Sequence, residues 1–394
     1  MGHKRGNGEG TISRRKDGTW CSAISAGRNP VTGKPIRSFF YGRTRQEVAD
    51  KLAKALSDAR QGVFVKPTKV TVGQWLDTWL NEYARPHVRA TTWGSYEYII
   101  RCHLKPALGS IPLKDLRPEH LQRLYNQKLA TGRVDGEGQL SSRTVRLIHI
   151  TLHAALKQAV KEGLTVRNVS EATSPPRQQK REIRALSPQE QQDFLKTASA
   201  DRLGVAFVLD LATGLRRGEL LGLRWADVDF GAETVTVRQA LVEVRTGNAQ
   251  GPKTALVFQE PKSASGRRTI PLPSVLIPQL KAHKARQNEE KLLLGAAYHD
   301  QGLVFATADG KPIHPRNFTR KFYQLASKAG ISGTNLHALR HSFATRLLEA
   351  NEHPKVVQEL LGHSQISQTL DTYSHVSLNL KRSAADKLNQ FLAP

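Results

Sequence analysis

Residues 171–185, EATSPPRQQKREIRA, set Pro175-Pro176 inside a basic, polar run that has no apolar periodicity. Such a stretch has nothing to bury, and its proline pair lacks two backbone donors, so it reads as a connector between folded units. The chain of 394 residues is in any case long for a single core. A second break, Val65-Lys66-Pro67-Thr68, falls earlier. Together the breaks predict a small unit over 1–66, a helical unit over 69–170, the connector 171–185 and a large unit over 186–394. No internal repeat is visible.

Charge narrows the partner. Lys plus Arg number 59 against 34 Asp plus Glu, a net +25 with a pI near 10.3. The surplus is spread along the chain, about +9 in 1–66, about +7 in 69–170 and about +9 in 171–394. A basic tail on a neutral enzyme would concentrate it. Every unit therefore faces a polyanion, and a long nucleic acid fits better than a small phosphorylated substrate. The two cysteines, Cys21 and Cys102, are far apart and match no metal spacing, which predicts free thiols in a reducing compartment. No apolar run approaches the ~20 residues that span a bilayer. MGHKRGNGEG lacks the apolar stretch of a signal peptide, and Gly6 stands where a myristoylation signal has Ser or Thr. The expectation is a soluble, cytoplasmic protein.

The local patterns predict a multidomain α+β chain. GTISRRKDGTWCSAISAG alternates around Asp17-Gly18, a hairpin signal, and IRSFFYG adds a third strand. Thr44 with Glu47 caps a helix whose Val48, Leu52 and Leu56 face that sheet. Arg14, Lys16 and Arg37 are expected on the open face, where a three-stranded sheet can enter a DNA groove. Helical periodicity follows over 71–84, 92–103, 118–131 and 141–162, a small bundle. Its stripes are Trp75, Leu76, Trp79, Leu80 and Leu147, Ile150, Leu152, Ala155, Leu156, Ala159. Arg89, Arg101, Arg143 and Arg146 form basic edges. The large unit is mainly helical: Ser187-Pro188 with Glu190 starts a helix, VAFVLDLAT ends at Gly214, and helices return from Pro315. Between them TVTVRQ, ALVFQE and RRTIPL predict a small antiparallel sheet.

Six residues carry the chemistry: Arg216, Lys262, His337, Arg340, His363 and Tyr373. Cleaving a phosphodiester with a side-chain nucleophile builds negative charge on phosphate oxygens and requires a proton for the leaving oxygen. Guanidinium groups match two such oxygens and keep their charge, so Arg216 and Arg340 suit a clamp. Glu219, three residues after Arg216, can fix its guanidinium. His337 and Arg340, at i and i+3, share a helix face. Tyr373 ionises near 10 when unperturbed, so as a nucleophile it needs a base, which His337 could be, and Lys262 is suited to protonate a departing 5′ oxygen; chemistry alone does not choose Tyr373 among the eight tyrosines. His341 and His363 beside His337 raise a zinc alternative, but a metalloprotease helix needs Glu at position 338, where Ala stands.

TGLRRGELLGLRWADVD, PKSASGRRTIPL, HALRHSFAT and LGHSQISQTLDTYSH, four motifs in order, resemble the catalytic domain of the tyrosine recombinases, or phage-type integrases. The resemblance covers about 200 residues and is more specific than any one motif. It implies that Arg216, Lys262, His337, Arg340, His363 and Tyr373 form the active site, and no catalytic position departs from the pattern. It further implies a 3′-phosphotyrosyl intermediate and neither ATP nor a divalent metal, hence no cofactor. Residues 69–170 resemble the helical core-binding domain and 1–66 the arm-binding domain of integrases of phages and conjugative elements. The implied function is site-specific recombination of a mobile element such as a temperate phage. The implied partners are double-stranded attachment sites and a homotetramer on DNA, with a host bending protein and a directionality factor as further candidates. On this resemblance SLNLKRSAADKLNQFLA docks on a neighbouring protomer. A type IB topoisomerase and a non-cleaving DNA-binding regulator are the alternatives. Neutralising one phosphate-contacting residue in 1–66 should lower the slope of log affinity against log salt by about 0.9. An unchanged slope in a filter-binding series would remove that residue from the contact.

Overall fold

The computed structural model describes residues 10–28, 35–60, 69–134, 138–178, 184–246, 253–261 and 264–366. Lys262, Tyr373 and the tail segment 377–394 lie outside these. The chain divides between residues 180 and 181 into two compact units.

In the first unit, strands β1 (Thr11–Arg14), β2 (Trp20–Arg28) and β3 (Pro35–Gly42) form an antiparallel sheet in the order β1-β2-β3. Asp17 makes the first turn by accepting from the Thr19 amide at 3.0 Å, while Gly18 takes φ of 84°. Helix α1 (Arg45–Arg60) covers one face, with Leu52 and Ala55 buried against Ile24 and Val48 buried as well. Thr44 accepts from the Glu47 amide at 3.2 Å, and Glu47 reaches the Arg43 amide at 3.0 Å. The register pairs Ser25 with Arg37, Ala23 with Phe39 and Cys21 with Tyr41, so Arg37, Phe39 and Tyr41 share the face away from α1. Arg14 pairs with Trp20 and so has the opposite parity, and Lys16 belongs to the turn. Arg15 replaces them on the open face, its guanidinium 5.4 Å from the Tyr41 ring centroid. One residue of register decides this exchange.

The rest of the unit is helical. Helix α2 (Val72–Thr78) runs into a π-helical turn, Trp79–Ala84. Helix α3 (Ala90–Ile99) does the same through Ile100–Leu104 before the short α4 (Lys105–Leu108). Helices α5 (Pro118–Thr131) and α6 (Ser142–Lys161) complete the bundle. Trp75 and Trp79 are core, and the Trp75 indole donates to the Ala155 carbonyl at 2.9 Å. The buried stripe of α6 is Val145, Ile148, Leu152, Ala155, Leu156 and Ala159. Leu147 and Ile150, expected in that stripe, are exposed, because helical phase turns them to the side that carries Arg143 and Arg146. The bundle continues into the connector: Ser170 is fully buried, and the Ser174 amide donates to Gln122 at 3.0 Å. Cys21 and Cys102 are both free thiols.

The second unit opens with α7 (Pro188–Ala198), where Ser187 and Glu190 form a complete capping box. Helix α8 (Gly204–Thr213) is almost wholly apolar and lies in the core. Phe207 on α8 stacks on Phe318 at 4.7 Å and meets Phe194 edge-on at 5.6 Å, locking α8 between neighbours. Short α9 (Arg217–Leu221) follows. Strands β4 (Val228–Asp229), β5 (Thr234–Val237), β6 (Ala240–Arg245), β7 (Thr254–Gln259) and β8 (Arg268–Pro271) form two sheets rather than one, β4-β5-β8 and the hairpin β6-β7. β5 thus skips over the hairpin to pair with β8, a non-local choice that alternation does not reveal. Helices α10 (Ile277–Leu294), α11 (Pro315–Lys328), α12 (His337–Glu349) and α13 (Pro354–Leu361) finish the unit. No helix among the described residues is long and apolar enough to cross a membrane.

Two left-handed glycines end the helices that matter most. Gly214 closes α8 at φ 59° and Gly362 closes α13 at φ 64°. A Cβ on Gly214 would sit 2.5 Å from the Phe343 ring and 2.8 Å from Leu361. Gly214→Ala should therefore destabilise the chain by about 1–3 kcal/mol, from left-handed strain plus overpacking. A melting temperature equal to wild type would show that the α8–α12–α13 junction is looser than its packing implies.

Candidate active site

Arg216 is the N-cap residue of α9, and Glu219 one turn later receives both its amide, at 3.0 Å, and its Nη1, at 2.7 Å. Glu219 is 5% exposed and also accepts from Arg268 Nη2 at 2.9 Å. Burial pushes its carboxyl up, but the hydrogen bond and charge of Arg268, helped by Arg216, outweigh burial and hold it below the usual glutamate range. Arg268 was inside a motif quoted above but was not singled out. Strand alternation was the available signal: β8 faces the core with Ile270, so Arg268, two residues earlier, points the same way, and its side chain is 7% exposed.

The three arginines converge on the end of α13. Arg268 Nε donates to the Leu360 carbonyl at 2.5 Å, Arg340 Nη2 to Leu361 at 2.7 Å, and Arg216 Nη2 to Gly362 at 3.1 Å. Arg340 also donates through Nη1 to the Gly214 carbonyl at 2.5 Å and is 4% exposed. These are carbonyls that helix ends leave without partners, and the negative end of a helix dipole favours cations. Burial, with Arg216 beside it, pulls the Arg340 guanidinium down to about 9, so it remains charged at neutral pH.

His337 opens α12 one turn before Arg340, and His363 follows Gly362 with its amide donating to Gln358 at 3.1 Å. His337 keeps an exposed edge, yet the protein around it displaces water and His341, Arg340 and Arg216 repel a second charge, taking it down to about 4. His363 falls to about 4 by burial and by Arg340, Arg216, Arg268 and His337. Both imidazoles are neutral at pH 7. His341 packs edge-on against His337 at 4.9 Å, and no cluster of three or more His, Cys, Asp or Glu suited to a metal occurs among the described residues. Beside the arginines lies a cavity of about 300 Å³ lined by Asp210, Asn335, His337, Arg340 and Tyr323, a half-exposed tyrosine that the motifs did not flag.

Four of the six expected catalytic residues, Arg216, His337, Arg340 and His363, therefore meet around one basin with Glu219, and Lys262 and Tyr373 lie outside the described residues. Of the expected DNA-contacting residues, Arg14, Arg37, Arg89 and Arg143 are all exposed, as is Lys16.

The phage integrase family model matches residues 184–379, and its N-terminal SAM-like domain matches residues 71–129. The XerC-like tyrosine recombinase of Caldanaerobacter subterraneus subsp. tengcongensis is 34% identical over 377 residues, covering 93% of this chain and 94% of that protein. This chain belongs to the phage integrase family. An integrase of Streptomyces ambofaciens is 30% identical across 95% of this chain and 94% of its own length. Among solved structures, the Tn1549 transposon integrase in complex with a circular intermediate DNA superposes with a TM-score of 0.64 at 24% identity, covering 81% of this chain and 99% of that one. A lambda integrase dimer bound to a core site gives 0.53 at 20% identity over 94% and 96% of the two chains. The integrase is accordingly an enzyme that cuts and rejoins DNA through a tyrosine intermediate in site-specific recombination.

Titration tests the basin. A histidine held below its unfolded value stabilises the fold above about 6.5 and loses that contribution as pH falls towards about 4. NMR of nitrogen-labelled histidine should show His337 and His363 neutral at pH 6 and protonating near pH 4. Titration of either near 6.5 would mean that the arginines do not surround it.

Proposed function

We propose that Arg216 and Arg340 hold the non-bridging oxygens of the scissile phosphate while the Tyr373 phenol attacks phosphorus. The phenol proton passes to His337, the bond from phosphorus to the 5′ oxygen breaks, and Lys262 protonates that oxygen. A 3′-phosphotyrosyl link and a free 5′ hydroxyl result. His363, neutral in the free enzyme, donates a hydrogen bond to a phosphate oxygen, and Glu219 keeps Arg216 in place. The observation that carries this reading is the convergence of three guanidinium groups on three successive carbonyls. Arg216 and Arg340 each carry more N–H groups than these contacts use, and the charges of both reach the two neutral imidazoles. An arriving phosphate offsets the cations that depress His337 and so raises its basicity when a base is required.

The proposed division is an arm-type domain over 1–66, a core-type domain over 69–170, a connector over 171–185 and the catalytic domain over 186–394. The proposed substrates are double-stranded attachment sites of a mobile element, acted on by a tetramer in the cytoplasm of a bacterial host. Supporting this are the lambda integrase tetramer on a Holliday junction, with a TM-score of 0.52, and the net charge of +25. Arg15, Arg37, Phe39 and Tyr41 form the proposed groove-facing surface of the first domain.

A suicide substrate with a nick beside the cleavage position tests the chemistry. Wild type should form a covalent adduct on the peptide containing Tyr373, with or without EDTA. Tyr373→Phe should form none, and Arg340→Ala should lose the adduct by at least about 100-fold while still binding DNA. An adduct on the peptide containing Tyr323 would overturn the assignment of the nucleophile.

A further inference from the structure

Asp210 lies in the last turn of α8, 2% exposed, and its Oδ1 is buried without a donor. It lines the cavity that Arg340 and His337 also line. An ionised carboxylate in that position has a guanidinium beside it and would be expected to pair with it. Arg340 instead directs Nη1 and Nη2 to the Gly214 and Leu361 carbonyls, and no ion pair joins Asp210 to any described residue. Glu219, the other acid of the basin, is already shared by Arg216 and Arg268.

We infer that Asp210 is carried as a neutral carboxylic acid, a positioning residue that lines the cavity beside Arg340 without cancelling its charge. The charge balance explains the consequence. Three guanidinium groups against the single carboxylate of Glu219 leave two positive charges in surplus. A phosphodiester brings one negative charge, and the five-coordinate state formed by attack brings a second. An ionised Asp210 would remove half of that surplus before substrate arrives. Burial favours the protonated acid; Arg340 opposes it, and Glu219 reinforces it. Arg217 and His337 line the same cavity, and the latter is neutral at pH 7.

This inference rests on the strand-cleavage reading for its consequence, though not for its protonation state. Asp210→Asn reproduces the shape and neutrality of the acid, whereas Asp210→Ala leaves a cavity under Arg340. On the nicked substrate at neutral pH, Asp210→Asn should cleave within about threefold of wild type and Asp210→Ala at least about tenfold more slowly. The sign of the stability effect separates the two charge states. A carboxyl raised by folding penalises the folded state as pH climbs above about 4, where the unfolded chain ionises. The Asn variant should therefore melt at or above wild type, with a gap that widens from pH 4 towards neutrality. A lower melting point for Asp210→Asn, failure of that variant to fold, or a cleavage loss as large as that of Asp210→Ala would each overturn the inference. Wild type alone provides a further check: its infrared spectrum at neutral pH should contain a deuterium-sensitive carboxylic acid band. Absence of that band would also overturn it. Should wild type form no adduct, the cleavage reading fails, while melting and infrared still decide the state of Asp210.

Discussion

The end of α13 is the point on which the catalytic unit depends. A helix leaves its last carbonyls without internal partners. Here Leu360, Leu361 and Gly362 receive Arg268, Arg340 and Arg216, which arrive from β8, α12 and α9. One set of backbone groups thus fixes three side chains that are far apart in sequence. The left-handed turn at Gly362 then places His363 against the same group. Arg268 engages all three of its nitrogens, on Leu360, Gly266 and Glu219, whereas Arg216 and Arg340 have more of their five donors than their protein contacts use.

Gathering cations carries an electrostatic cost that the surroundings offset only in part. Glu219 balances Arg216 and Arg268, and the backbone dipoles of α8 and α13 favour Arg340. What is not balanced becomes a positive field, which adds to burial, the larger cause, in keeping two imidazoles neutral far below their ordinary range. The field that adds to burial in keeping His337 unprotonated also favours a phosphate. On the proposed mechanism, an arriving phosphate offsets the cations' share of the shift at His337.

Several features were legible in advance because their causes are local. Asp17-Gly18, the Ser187–Glu190 capping box and the apolar run ending at Gly214 specify a turn, a helix start and a helix end from adjacent residues. Arg216, His337, Arg340 and His363 were legible through four motifs in order. Other features depend on alignment with distant segments. Arg14 and Arg15 exchange faces on a one-residue register, and Leu147 and Ile150 turn outward on a phase that the bundle sets. Arg268 stood in plain view as one of two adjacent arginines, and alternation from the inward Ile270 separates it from the exposed Arg267. Asp210 was hidden by its setting, a single acid in an apolar helix whose chemical meaning comes from what packs over it.

By itself the sequence determined the nucleic-acid partner class, the helical caps and the reactive residue types, because charge, periodicity and turn chemistry act over a few neighbouring positions. Tertiary structure alone decided that α9, β8 and α12 deliver their guanidinium groups to consecutive carbonyls of α13. It also decided that β5 pairs with β8, and that Asp210, buried without a donor, lines the same cavity as Arg340. Those outcomes depend on loop closure and on the exclusion of water from a shared interior, and neither exists until remote segments pack together.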